Sequence, residues 1–219
     1  MNHLKYGVFF FLVVLTGACQ APSLAKPDNG FDVQMYVDTS ASAVRWTAED
    51  DIWRQSMVNL VDRLKGKDRL KAYTFGKQLS AVSAWIEKPS VGNFEPLLPS
   101  LFPARANGDQ GTCTREVLKK AAANLELTSG SGRRNLLILM LDADEGAKGC
   151  PKLSESEWSE WFARTTNAAN IMIFPLDTNN RFATFLDDAS AAQARSVAIC
   201  RKSAEPQCHL DRLRDWRKQ

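Results

Sequence analysis

An acid and two hydroxyls stand at alternate positions in Asp38-Thr39-Ser40-Ala41-Ser42, and a second acid, Asp142, ends the apolar run Leu136 to Leu141. Between them in the chain, Gly111-Thr112 opens a helical stripe. Carboxylate and hydroxyl oxygens are hard donors that suit Mg2+, an ion that prefers octahedral coordination and commonly keeps waters. The bland alternative is that Ser40, Ser42 and Thr112 cap helices and satisfy loop amides. Other chemistries are poorly supplied. His3 and His209 are the only histidines and no Cys-x-x-Cys stands in the sequence, which excludes a zinc site of the usual ligand types. There is neither a Gly-x-Ser-x-Gly elbow nor a Gly-x-x-x-x-Gly-Lys phosphate loop.

Both acids follow apolar runs, so strands must position them. Phe31 to Val37 reads as a first strand stopping at Asp38, and Leu136 to Leu141, apolar on both faces, as a buried central strand. Trp53, Met57, Leu60, Val61 and Leu64 recur at helical spacing and predict an amphipathic helix over 49–65. Strands are expected at Leu70 to Phe75 and at Leu79 to Ile86, joined by a tight Gly76-Lys77-Gln78 turn that makes the latter an antiparallel edge. Prolines and glycines punctuate 87–111, predicting irregular backbone with at most one short helix. A helix follows over 114–127, and Ser154 with Glu157 forms a capping-box pattern ahead of Trp158, Trp161 and Phe162, a stripe read as core. Ile171 to Leu176 is the fifth strand and 181–199 the next helix. The basic tail, Arg212 to Lys218, reads as a solvated helix face, with contact to anionic lipid as a minor alternative. Strands alternating with helices imply an α/β fold: an open, mainly parallel, Rossmann-like sheet with one antiparallel edge strand and helices on both faces. Ligands of such sheets sit beyond the carboxyl ends of the strands, where Asp38 and Asp142 stand.

The 219 residues carry a formal charge of +3 and are 44% hydrophobic and 24% charged, which excludes a strongly basic nucleic-acid module and a disordered chain and fits one domain. Lys5 precedes the apolar run Val8 to Leu15, too short to cross a bilayer and typical of an export leader. Residues 1–18 are therefore expected to be a signal peptide, with cleavage after 25 as the alternative, 19–30 a linker, 31–199 the domain and 200–219 a C-terminal extension. Leu15-Thr16-Gly17-Ala18-Cys19 resembles the bacterial lipoprotein signal, in which the cysteine is lipidated, although that signal usually has its leucine three residues before the cysteine. Lipidation of Cys19 accounts for the odd one of five cysteines. The other four can pair in three ways; proximity favours Cys200 with Cys208, leaving Cys113 with Cys150. A place in the cell envelope, periplasm-facing or secreted, is expected, with the membrane met only through an N-terminal lipid.

The set Asp38-x-Ser40-x-Ser42, Thr112 before a helix and Asp142 after the central strand resembles the von Willebrand factor A, or integrin I-like, domain family over roughly Phe31 to Asp177. The resemblance implies a metal-ion-dependent adhesion site. Ser40, Ser42 and Thr112 would ligate Mg2+, or else Mn2+ or Ca2+, while Asp38 and Asp142 hold waters or ligate at longer range. With three neutral donors the ion keeps surplus charge and an open position for a carboxylate from a protein partner. One departure stands out: Asp142-Ala143-Asp144-Glu145 crowds acids where the family often has glycine, and Asp109 adds another. Asp142 and Asp144 also resemble the paired aspartates of haloacid-dehalogenase-type phosphatases, so a metal-dependent hydrolase is the alternative. A von Willebrand A scaffold with a vestigial site is the third reading.

Overall fold

The computed structural model describes residues 30–49, 51–76, 78–105, 111–128, 130–142, 150–176, 181–201 and 207–219. The leader, Cys19, Asp109, Asp144 and Glu145 lie outside them. β1 (Phe31–Asp38) is buried along its whole length. It is followed by α1 (Ala41–Glu49), α2 (Ile52–Asp62), β2 (Arg69–Phe75), β3 (Leu79–Ala81) and β4 (Ile86–Glu87). Short helices α3 (Val91–Phe94) and α4 (Leu98–Leu101) precede α5 (Thr114–Thr128) and β5 (Arg134–Leu141). The chain continues as α6 (Glu155–Thr165), β6 (Ala169–Pro175), α7 (Arg181–Ser190), β7 (Val197–Ile199) and α8 (Cys208–Lys218).

The strands form one sheet in the order β3-β2-β1-β5-β6-β7, with β4 also paired to β2. β1, β2, β5, β6 and β7 run parallel, and β3 and β4 are antiparallel to β2. On one face Val33, Met35, Ile138 and Met140 pack with Trp53, Met57 and Leu60 of α2. On the other, Leu137, Leu139 and Ile171 meet Val117 and Ala121 of α5 and Trp158 and Phe162 of α6. β1 alternates strictly, with Asp32, Gln34, Tyr36 and Asp38 between its apolar residues. Hydrogen bonds satisfy that buried polar row: Asn124 on α5 donates to the Tyr36 hydroxyl at 2.9 Å, which donates to Gln34 at 2.9 Å. Ser154 and Glu157 form the expected capping box, and Arg115 on α5 meets Glu157 at 2.5 Å, joining the starts of two helices.

The sequence-based expectations differ from the structure in five places. The helix expected over 49–65 is α2, shorter at Ile52–Asp62, and a further helix, α1, not expected from the sequence, begins directly after Ser40. The edge strand expected over 79–86 is split into β3 and β4, where the Ser83 hydroxyl takes the Ala72 amide that a continuous ladder would use. The 87–111 stretch holds successive short helical turns. The helix expected over 181–199 ends at Ser190, and Val197–Ile199 joins β6 as a further parallel strand. The basic tail is not merely solvated. His209, Leu213 and Trp216 of α8 are buried, and Arg217 pairs with buried Asp68.

Candidate metal centre

Asp38 is the last residue of β1 and Asp142 the first after β5, so the parallel register between those strands sets them side by side at the carboxyl edge. Both are buried, at 1% and 4% exposure. The Asp38 carboxylate is held from two sides: the Ser40 amide donates to Oδ1 at 2.8 Å and the Thr112 hydroxyl to Oδ2 at 2.8 Å. Thr112 comes from 74 residues away, and two features of the backbone deliver it. Gly111 has φ of +140°, a conformation that side chains disfavour, and the Cys113 amide donates to the Gly76 carbonyl at 3.1 Å, stitching the loop to the end of β2. Thr39 stitches the first loop to the same strand, its amide donating to the Phe75 carbonyl at 2.7 Å.

Ser40 lies in the turn from β1 into α1 and Ser42 in the first turn of α1, with their hydroxyl oxygens 3.3 Å apart. The Ala43 amide reaches the Ser40 hydroxyl only at 3.5 Å, the outer limit of a useful hydrogen bond, so capping is a weak account of that hydroxyl. The structure therefore brings Asp38, Ser40, Ser42 and Thr112 into one connected group beside Asp142. Among the described residues, no three histidine, cysteine, aspartate or glutamate side chains gather, so the donor set here is two acids and three hydroxyls. It fits a hard divalent cation, since two carboxylates buried together gain most from a positive charge between them. Burial first, then the charge of Asp142, push the Asp38 carboxyl up to about 7, against the opposing hydrogen bonds from Ser40 and Thr112.

That shift carries a pH signature. A carboxyl raised in the native state binds its proton more tightly there than in the unfolded chain, so stability falls as pH rises from about 4 to 7 when no cation is present. Melting in EDTA across this range should show a fall in wild-type stability that Asp38→Asn removes. Parallel curves for the two proteins would show that Asp38 does not carry it.

A cavity of about 270 Å³ opens beside the acids, walled by Thr112, Asp142, Leu153, Trp158, Phe182 and Phe185. Sequence reasoning read Trp158 as core, with a partner surface as the alternative, and overlooked Phe182 and Phe185, whose signal was two aromatics opening a helix at a strand's carboxyl end. His209 lies elsewhere, packed against Phe174 with ring centroids 5.8 Å apart, its imidazole held down to about 4 by burial. Cys113 and Cys150 are bonded, Cα to Cα 5.1 Å, as are Cys200 and Cys208 at 5.5 Å.

No protein-family model matches the sequence, and no curated protein does. Solved structures do resemble the fold. The BatB protein of Bacteroides thetaiotaomicron superposes with a TM-score of 0.56 at 13% identity, over 87% of this chain and 100% of that one. Manganese-loaded TRAP protein of Plasmodium vivax gives 0.58 at 13% identity, over 80% and 70%. Proximal thread matrix protein 1 of the mussel byssus, with a zinc-occupied MIDAS motif, gives 0.56 at 14%, over 85% of this chain but 47% of that one. The SpRpn10 VWA domain gives 0.54 at 17%, over 83% and 93%. By its sheet order, its helical layers and these likenesses, the chain has a von Willebrand A-like fold.

Proposed function

We propose that this chain is a protein-binding module that holds a divalent cation, Mg2+ by donor chemistry, and works in the cell envelope as a lipoprotein or periplasmic protein. One observation carries the reading: Thr112 and Asp38, from loops 74 residues apart, already meet at 2.8 Å beside a second buried acid. Ser40, Ser42 and Thr112 would hold the cation through their hydroxyls, and Asp38 and Asp142 would hold its waters or ligate it. When bound, the ion supplies a positive charge with an open position suited to a partner's carboxylate. The chain's own residues prepare that place. The Ser40 amide and Thr112 hydroxyl fix the Asp38 carboxylate, and Gly111 lets the backbone turn Thr112 toward it. The manganese-loaded and zinc-occupied structures of similar fold support a cation in such a position.

The groups gathered here hold an ion and expose it, which suits binding better than turnover. The test is capture from an envelope extract with immobilised chain. A protein retained in Mg2+, released by EDTA and not retained by Asp142→Ala is expected. The same proteins held in EDTA would remove the cation from the mechanism. Lipidation is tested separately by fractionation in high salt, which removes electrostatic adhesion, where Cys19→Ser should move the chain from the membrane to the soluble fraction.

A further inference from the structure

We infer that the edge of the sheet opposite the candidate metal centre is a docking surface for anionic lipid headgroups. Three independent features meet there. The first is where the chain enters: the Arg134 amide donates to the Gly30 carbonyl at 3.1 Å, and a Cβ on Gly30 would lie 2.4 Å from the Lys67 carbonyl oxygen. Gly30 thus sits between Lys67 and Arg134, at the amino ends of β1, β2 and β5.

The second is charge. Segments 62–69, 133–134 and 214–218 hold nine basic and three acidic residues. Contacts bring these segments together: Arg217 pairs with Asp68, Arg134 donates to the Trp216 carbonyl, and both guanidiniums stack on Phe31 at 4.6 and 5.0 Å. Asp32 and Glu87 offset part of the excess by meeting Arg69 and Arg133, and Asp211 lines the groove between α2 and α8, leaving an edge that is net positive. Arg63, Lys65 and Lys218 stand exposed on it, around that groove.

The third is Leu127, 84% exposed, the one large apolar side chain standing in solvent among the described residues. It sits in the last turn of α5, whose next residue, Thr128, bonds Asn135 at the start of β5, so it shares the basic edge. A basic edge with an exposed leucine at its end, on the other face of the sheet, matches an anionic lipid surface, where charges meet headgroups and the leucine enters the boundary. The entry of the chain at this edge, eleven steps from Cys19, favours a lipid surface over a nucleic acid or an acidic protein. The eleven steps along the chain from Cys19 to Gly30 reach at most about 40 Å, so a lipid at Cys19 would hold this edge near the bilayer. The opposite end of β1, about 23 Å away by strand rise, would then face outward with Asp38 and Thr112.

The test uses the chain from residue 19 onward carrying Cys19→Ser, so that the surface is measured without the apolar leader or a lipid at that residue. It should co-sediment with phosphatidylcholine vesicles holding roughly a third phosphatidylglycerol, far less with pure phosphatidylcholine, and lose binding in high salt. Each cation near such a surface contributes about fivefold, so Arg63→Glu, Lys65→Glu and Lys218→Glu together should weaken binding about a hundredfold or more. Leu127→Asp should weaken it further. These side chains are exposed, and unchanged melting temperatures show that the variants fold. Reversing Lys119 and Lys120, exposed on the flank of α5, should change little. Equal binding to neutral vesicles, survival of binding after the triple reversal, or an equal loss from the Lys119 and Lys120 reversal would each overturn the inference. So would tight binding to polyglutamate with none to vesicles.

Discussion

Mg2+ or Mn2+ added to the metal-free chain raises its melting temperature, and the rise is absent from Asp38→Ala. An unfolded chain cannot assemble donors from residues 38–42, 112 and 142, so the ion binds only the native state and stabilises it by RT ln(1 + [L]/Kd). That is about 2.7 kcal/mol at a hundredfold excess over Kd, or about 5–10 °C for a domain of this size. Without metal the substitution has a smaller consequence. It removes the acceptor for the Ser40 amide and the Thr112 hydroxyl, at about 1 kcal/mol each. It also relieves the burial of two like charges, which acts in the opposite direction. The difference between the proteins therefore grows with the cation. Flat, identical responses would leave a metal-free fold. A response that survives Asp38→Ala but disappears in Asp144→Ala would move the ion to the acids that follow Asp142, and the hydrolase reading would rise with it.

The alternation Asp32, Gln34, Tyr36, Asp38 and the apolar run before Asp142 were legible because buried strands leave a period of two or none at all, and both put an acid at a strand's end. What placed Thr112 beside Asp38 was only partly legible. The motif order suggested it, but the stitch from Cys113 to Gly76 is a backbone contact that no residue type announces. α1 was missed because Ala43, Val44 and Thr47 are too small to give a strong helical stripe, while the serines ahead of them read as a turn. β7 was missed because Val197–Ile199 is three residues long and continues the spacing of the helix before it. α8 offered His209, Leu213 and Trp216 at helical spacing, yet its charges masked the stripe. Its tie to Asp68 spans 149 residues and is visible only in the fold.

Replacing Cys113 and Cys150 together by serine lowers stability more than replacing Cys200 and Cys208, and only the first pair of changes weakens cation binding. The loops closed are 37 and 8 residues long. In the chain-entropy account these lengths correspond to about 4 and 2.5 kcal/mol lost on opening each bond. The second effect comes from position. Cys113 follows Thr112 directly and is 6% exposed, and Cys150 precedes Pro151, Lys152 and Leu153 of the cavity wall. The bond thus joins the loop that carries Thr112 to the far end of the segment that begins at Asp142. The Cys200 bond lies between β7 and the start of α8 and touches neither loop. Thermal melts of both double variants, with and without Mg2+, separate the two contributions. If the metal-induced rise shrinks only in the Cys113 and Cys150 variant, the bond keeps Thr112 and Asp142 in register. If both variants keep the full rise, its role is confined to the unfolded chain, and the hydrogen bonds from Thr112 and Cys113 hold the site without it.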